Sequence, residues 1–172
     1  MPWDEAGDLE VREVPGGVVY QDEVVRFGRE ACERARGLLV NHMTLSQRED
    51  FERTACFDVI GSRSGARYTI STCRRINNVS TEGRAWFCAL FSPPLPIWDQ
   101  ALAQKMLIET DEIEYLAIAN NSVGPSPRVL LPFYDEVYNR RSAIHRRENA
   151  RARARAKLSW TRRLLYWWNS RW

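Results

Sequence analysis

The amino-acid sequence predicts an α+β fold: a small antiparallel sheet of three to four strands covered by helices, with an extended N-terminal arm and a long basic C-terminal helix. Two observations support this prediction. Apolar residues recur every three or four positions between residues 22 and 55 and again between 95 and 120, which is typical of amphipathic helices. Between these stretches apolar and polar residues alternate, as they do along a strand. A sheet and a helical layer can each bury the apolar face of the other.

Composition divides the 172 residues into four segments. We assign residues 1–21 to an acidic arm, residues 22–120 to the α+β core domain, residues 121–132 to a Pro-rich linker, and residues 133–172 to a basic, Trp-rich helix. The prolines of the linker block both helix formation and the donation of hydrogen bonds to a sheet.

Charge is distributed unevenly along the chain. Residues 1–139 hold 14 basic and 21 acidic side chains, a net charge of −7, whereas residues 140–172 hold 11 basic side chains and one acid, a net charge of +10. The first 23 residues alone carry seven acids against Arg12. The chain therefore consists of an acidic arm, a near-neutral core and a basic tail.

The N-terminal arm has few signals of regular structure. Residues 14–17 read Val-Pro-Gly-Gly, which is typical of a turn, and residues 18–20 are sufficient for a short strand at most. Two interpretations stay open: a terminus without fixed structure, and an arm that becomes ordered against a partner.

A helical pattern begins at Asp22 and continues to Met43, with apolar residues on one face and Glu and Arg on the other. Thr44 and Gln47 then have the spacing of a capping box, in which each side chain accepts a hydrogen bond from the backbone N–H of the other residue. This predicts a second helix that ends near Ala55. The residues that it is expected to bury are Leu45, Phe51 and Ala55.

Four segments have the composition of strands: residues 57–61, 68–71, 76–79 and 85–91. The last of these is the most apolar, so we expect it to be the central strand, with Trp86 in the core. Between the first two lies a loop of sequence Gly-Ser-Arg-Ser-Gly, residues 61–65, which suits a hairpin turn.

Residues 95–120 combine a helix start, an apolar period and a helix end. Pro96 suits a first helical turn, and Asp99 complements the positive end of the helix dipole. Thr110 or Asp111 can start a new turn. The pattern predicts two consecutive helices, or one kinked helix, that pack across the sheet with Leu107 in the core and end at Asn120.

The region from about Leu38 to Asn120 resembles a small α+β domain found in bacterial and phage open reading frames. The resemblance is strongest in the Leu-Ala-Gln-Lys pattern at residues 102–105 and covers about half of the chain. Residues 38–39, 45–48, 51–52, 57–61, 64–70, 78–79, 88, 95–96, 99, 102–109, 111–112 and 119–120 carry it. It implies an association with phage assemblies, and it implies no catalytic role for any residue.

Several classes of protein are not expected. No run approaches the roughly 18 apolar residues of a membrane span, and residues 1–5 are acidic, unlike a secretory signal. We therefore expect a cytoplasmic or virion protein. The four cysteines are widely spaced, and the histidines, His42 and His145, are isolated. A zinc site and disulfides are thus disfavoured, and we expect no cofactor and buried, reduced cysteines.

Three features invite a chemical role, and each has a simpler explanation. The 61–65 loop could bind phosphate, yet it lacks the P-loop spacing and joins two strands. The acidic cluster Glu109, Asp111, Glu112 and Glu114 could bind a metal, yet these neighbours diverge around a helix. The pair Gln104-Lys105 either faces solvent or contacts a partner. No catalytic residues are expected, and the protein is not predicted to be an enzyme.

The C-terminal segment is the most informative about function. Four of the seven tryptophans follow residue 159, where no predicted sheet remains to bury them. The candidate partner-binding residues are Trp160, Leu164, Leu165, Trp167, Trp168 and Trp172. Arginines repeat on another face, and the candidate nucleic-acid or phosphate contacts are Arg140, Arg147, Arg151, Arg155 and Arg162.

Four interpretations of this segment stay open: binding in a groove of a neighbouring protein, contact with nucleic acid, contact with a membrane surface, and packing on the chain's own core. We favour a non-catalytic interaction protein, a phage-type virion or assembly subunit tied to its protein neighbours by its terminal arms. The alternative is a nucleic-acid-binding accessory protein, and a membrane surface is the less expected partner.

Overall fold

The computed structural model describes residues 12–14, 17–19, 21–74, 78–81, 85–89, 94–123 and 133–169; for residues 12–14, 17–19, 21–22, 121–123 and 157–169 it describes the backbone alone. The chain divides into two compact units between Pro132 and Phe133, the residue at which the sequence predicts that the C-terminal helix begins. Each unit is described by itself.

The first unit confirms the α+β prediction, since helices and strands are mixed along it. The described part of the second unit is one long helix. In chain order the elements are β1 Arg12–Val14, β2 Gly17–Val19, α1 Gln21–Phe27, α2 Arg29–Asn41, α3 Leu45–Thr54, β3 Cys56–Ile60, β4 Arg67–Ser71, β5 Val79–Thr81, β6 Ala85–Cys88, α4 Ile97–Thr110, α5 Glu112–Ile118, β7 Asn120–Val123 and α6 Tyr134–Asn169.

The main sheet is antiparallel, in the order β3-β4-β5-β6-β7. Strands β3, β4 and β6 correspond to predicted strands, whereas β5 shares only Val79 with the strand predicted at residues 76–79, of which residues 76 and 77 lie outside the described residues. Strand β5 is central, so the expectation for the apolar strand β6 was wrong. Strand β7 was not predicted, and it occupies residues assigned to the start of the linker. Its polar sequence has no alternation typical of a strand. The strand forms nevertheless, because its pairing with β6 rests on backbone hydrogen bonds. The remaining linker, residues 124–132, lies outside the described residues.

Within residues assigned to the acidic arm, β1 and β2 pair as a small antiparallel hairpin. In this hairpin Val14 pairs with Gly17. Residues 15 and 16, at the centre of the predicted turn, lie outside the described residues. Residues 1–11 lie outside the described part of the chain.

The first predicted helix is two helices. Gly28 separates α1 from α2 and has a φ of 84°, a left-handed conformation that side chains with a Cβ disfavour. Val25 is 83% exposed, whereas Cys32, Ala35 and Leu39 are buried. The apolar stripe therefore applies to α2 and not to the whole stretch.

Helix α3 begins at the predicted capping box. The Thr44 hydroxyl accepts from the Gln47 N–H at 3.2 Å, and the Gln47 side chain accepts from the Thr44 N–H at 3.1 Å. Phe51 and Ala55 are buried as predicted, but Leu45 is 74% exposed, because as the first residue of the helix it lies before the buried face. The Gln47 amide also donates to the Asp58 carbonyl at 2.7 Å and so ties α3 to β3.

The core lies between the sheet and the helices, with α4 packed on β3, β4 and α2. At two places the buried residue is the next one along the chain from the residue that was expected in the core. Trp86 and Leu107 are only half-buried, whereas their neighbours Phe87 and Ile108 are 3% and 0% exposed. In a strand or helix a shift of one residue changes the face.

Candidate functional site

The two candidate chemical features of the sequence, the 61–65 loop and the acidic cluster, meet in the structure. Glu112 is the first residue of α5 and is fully buried. Its carboxylate accepts hydrogen bonds from the backbone N–H groups of Arg63 and Ser64, both at 2.8 Å. The loop therefore binds an anion, but this anion is an internal carboxylate.

Two hydroxyl groups complete the coordination of this carboxylate. The Ser64 hydroxyl donates to Glu112 Oε1 at 2.6 Å, and the Tyr68 hydroxyl donates to the same oxygen at 2.5 Å. The Ser62 hydroxyl accepts from the Glu112 N–H at 3.1 Å. We call the loop with Tyr68 and Glu112 the carboxylate clasp. Hydrogen bonds to a charged group are stronger than those between neutral groups, which compensates for the burial of the charge.

Glycine at position 61 is required by this contact. A Cβ atom at Gly61 would lie 2.5 Å from the Cδ and Oε2 atoms of Glu112. Any larger side chain would therefore displace the buried carboxylate or the loop.

Burial, the hydrogen bond to Glu112 and the charge of Glu112 together raise the pKa of Tyr68. Burial likewise raises the pKa of Tyr115, whose ring meets that of Tyr68 edge-on with centroids 6.4 Å apart. Both phenols are thus held in the protonated form, which allows Tyr68 to donate to the carboxylate.

The other members of the acidic cluster do not converge on a common point. The Glu109 carboxylate accepts from Lys105 Nζ at 2.5 Å. The Asp111 side chain accepts from the Glu114 N–H at 3.0 Å and caps α5, which confirms that Asp111 restarts the helix. Among the described residues, no three His, Cys, Asp or Glu side chains are grouped so that they could hold a metal ion.

Gln104 and Lys105, for which solvent and a partner both stayed open, are buried in the first unit. Gln104 is 0% exposed and exchanges two hydrogen bonds with Asn78, at 2.7 and 3.1 Å. Lys105 is 6% exposed and pairs with Glu109. Asn78 was not predicted as the partner of Gln104, because Asn78 precedes a short strand and lies 26 positions away in the sequence.

The candidate residues of the C-terminal segment other than Trp172 lie on one continuous helix, α6. The side chains of Arg140, Arg147, Arg151 and Arg155 are exposed. Arg162, Trp160, Leu164, Leu165, Trp167 and Trp168 belong to the same helix, where only the backbone is described. Trp172 lies outside the described residues.

Part of α6 has exposed residues on every side of the helix. Phe133, just before the helix, and Val137 are buried and residues 141–144 are half-buried, but residues 145–156 are exposed on every side. Five arginines lie in this stretch: Arg146, Arg147, Arg151, Arg153 and Arg155. Within the described part of the chain, none of them is paired with a carboxylate; Glu148 lies 3.7 Å from His145.

Comparison of the chain with models of protein families, with curated proteins and with solved structures finds no match. None of the four cysteines, all of which the structure describes, forms a disulfide; Cys32 and Cys88 are buried, and Cys56 and Cys73 are half-buried. No helix in the described residues is both long and apolar enough to span a membrane. Because its arginines are exposed and the tryptophan-rich segment lies on the same helix, the exposed part of α6 is the candidate functional site.

Proposed function

We propose that this protein is a non-catalytic subunit of a larger assembly and that it binds neighbouring protein through α6. The observation that supports the proposal is the exposure of residues 145–156 on every side of the helix. In most globular proteins a helix is stabilised mainly by packing of an apolar face. A helix that is polar on every side must be stabilised in another way, by local interactions or by contact with a partner.

The sequence of this stretch explains how it forms a helix without such a face. Residues 149–156 alternate Asn or Arg with Ala, and Ala and Arg are among the strongest helix formers. Local propensity thus supports the helix and leaves its arginines available for contact.

The tryptophan-rich end supplies the anchors in this proposal. Tryptophan and arginine are the residues most enriched among those that dominate binding energies at protein interfaces, where a buried anchor contributes about 2 kcal/mol or more. The anchors are Trp160, Leu164, Leu165, Trp167, Trp168 and Trp172. The further expectation that the assembly is of the phage type rests on the resemblance of residues 38–120.

Truncation tests the proposal. A chain ending at Ile144 lacks the exposed stretch and the tryptophan-rich end, and every removed side chain that the structure describes is exposed. We expect it to lose association with neighbouring protein and to keep the folding of the first unit, as measured by light scattering and thermal unfolding.

The five exposed arginines favour a second candidate, nucleic-acid binding. Removing one phosphate contact lowers the slope of log K against log salt by about 0.9 for duplex DNA. In this case the variant R147A/R151A/R155A should bind a DNA duplex more weakly than the native protein, with a slope smaller by about 3, measured by fluorescence anisotropy. An affinity for DNA that does not depend on these arginines would reject the second candidate.

A further inference from the structure

We infer that the arginine face of α6 binds the acidic N-terminal segment, residues 4–10, of a second copy of this chain. The inference rests on the proposed function and specifies the neighbour. We define the arginine face by Arg147, Arg151 and Arg155, which recur every four residues and therefore share one side of the helix.

Charge complementarity identifies the occupant. Residues 1–11 contain Asp4, Glu5, Asp8 and Glu10 and no basic side chain. The arginine face is exposed and is not paired with a carboxylate among the described residues. The acidic residues 4–10 and the arginine face thus carry opposite charges and lie near opposite ends of the same sequence.

Several carboxylates of the first unit already have cationic partners and compete less well for these arginines. Glu30 pairs with Arg34 at 2.5 Å, Asp58 lies 3.7 Å from Arg67, and Asp50 pairs with Arg53. Glu109 pairs with the buried Lys105. Glu112, in the same acidic cluster, is bound within the carboxylate clasp. The acids of residues 4–10 form a further dense acidic cluster in the sequence.

The spacing of the charges also agrees. At 1.5 Å per residue, Arg147 and Arg155 are about 12 Å apart along the helix axis. A segment bound in an extended conformation covers about 3.4 Å per residue, so Asp4 and Asp8 would be about 14 Å apart. A short acidic segment can therefore follow the arginine face and bring carboxylates to its arginines.

Such a contact joins different surfaces of two copies. A heterologous contact of this kind continues from copy to copy, as a ring where the rotation closes and as an open chain where it does not. Because the contact is between exposed charges, salt weakens it. The inference thus describes an assembly whose size depends on ionic strength.

Charge reversal in the full chain tests the inference. One variant carries D4K/D8K/E10K and the other R147E/R151E/R155E, and molar mass is measured by light scattering at low salt. We expect the native chain to exceed its monomer mass of 20.0 kDa at low salt and to dissociate at high salt. Each variant alone should remain monomeric, because like charges then face each other.

An equimolar mixture of the two variants should recover association. The acidic segment of the second variant meets the native arginines of the first, and the new lysines of the first meet the new glutamates of the second. Only a contact between copies can be restored in this way. The control R26E/R29E/R74E changes the charge by the same amount at exposed arginines of the first unit and should associate like the native chain.

Three results would overturn the inference: a native chain that is monomeric at low salt, a mixture that stays monomeric, or an N-terminal variant that associates normally. If R147E/R151E/R155E loses association and D4K/D8K/E10K does not, the proposed function stands and only the assigned neighbour is wrong. If neither variant changes an association that the native chain shows, the inference fails, and the chain ending at Ile144 decides whether α6 carries that association. Circular dichroism of each variant checks that the fold and α6 are retained.

Discussion

Replacing Glu112 by alanine should lower the free energy of unfolding by about 3–5 kcal/mol. The substitution leaves two N–H groups and two hydroxyl groups of the carboxylate clasp without their acceptor. A buried donor left unsatisfied costs about 1–3 kcal/mol, which applies in full to the Tyr68 hydroxyl; the three donors of the loop are part-buried and each cost less. Urea unfolding, followed by circular dichroism, measures the change.

Two further variants separate the clasp from a general effect of losing a glutamate. Glu49 is exposed on α3, so E49A should change stability by no more than about 0.5 kcal/mol. The variant E112Q keeps the shape and one acceptor oxygen, and it should lie between E112A and the native protein. A cost of E112A as small as that of E49A would show that the clasp contributes little to stability.

Breaking the buried pair of Asn78 and Gln104 should have the second-largest effect. Either N78L or Q104M leaves the other amide buried with an unpaired donor and an unpaired acceptor, and we expect a cost of about 2–4 kcal/mol for each. The double variant N78L/Q104M removes both amides and should cost less than the sum of the two. The same urea unfolding experiment on all four proteins measures the coupling.

Additive costs would contradict this account of the pair, since two residues that do not depend on each other lose stability independently. A matched control replaces Gln100, whose side chain donates to the Ala89 carbonyl at 3.0 Å. The variant Q100M removes one donor to the Ala89 carbonyl and leaves no second side chain unpaired. It should therefore lower the free energy of unfolding by about 1 kcal/mol.

The local signals in the sequence were reliable where neighbouring residues alone decide the structure. The capping box of Thr44 and Gln47 and the restart of the helix at Asp111 are formed as predicted, because the groups that bond are three residues apart. The alternating strands around Val59 and Tyr68 also follow from local pattern. The break at Gly28 was missed, since glycine is tolerated in a helix and its positive φ follows from how α1 and α2 pack.

Long-range pairing was beyond the sequence. The 61–65 loop and Glu112 each stand out in the sequence, but they are nearly 50 positions apart, so no local period relates them. Gln104 and Lys105 were placed on the best helix, yet the burial of Gln104 depends on Asn78 and on the face that α4 presents to the sheet. Strand β7 depends on an edge of β6 that exists only in the folded chain.

The central claim is that association resides in α6 and folding in the first unit, and the chain ending at Ile144 tests it most directly. Its melting temperature and its molar mass at low salt, measured on one sample beside the full chain, give both quantities. We predict an unchanged melting temperature and a monomer, under conditions in which the full chain associates. A truncated chain that still associates, or one that unfolds, would contradict the claim.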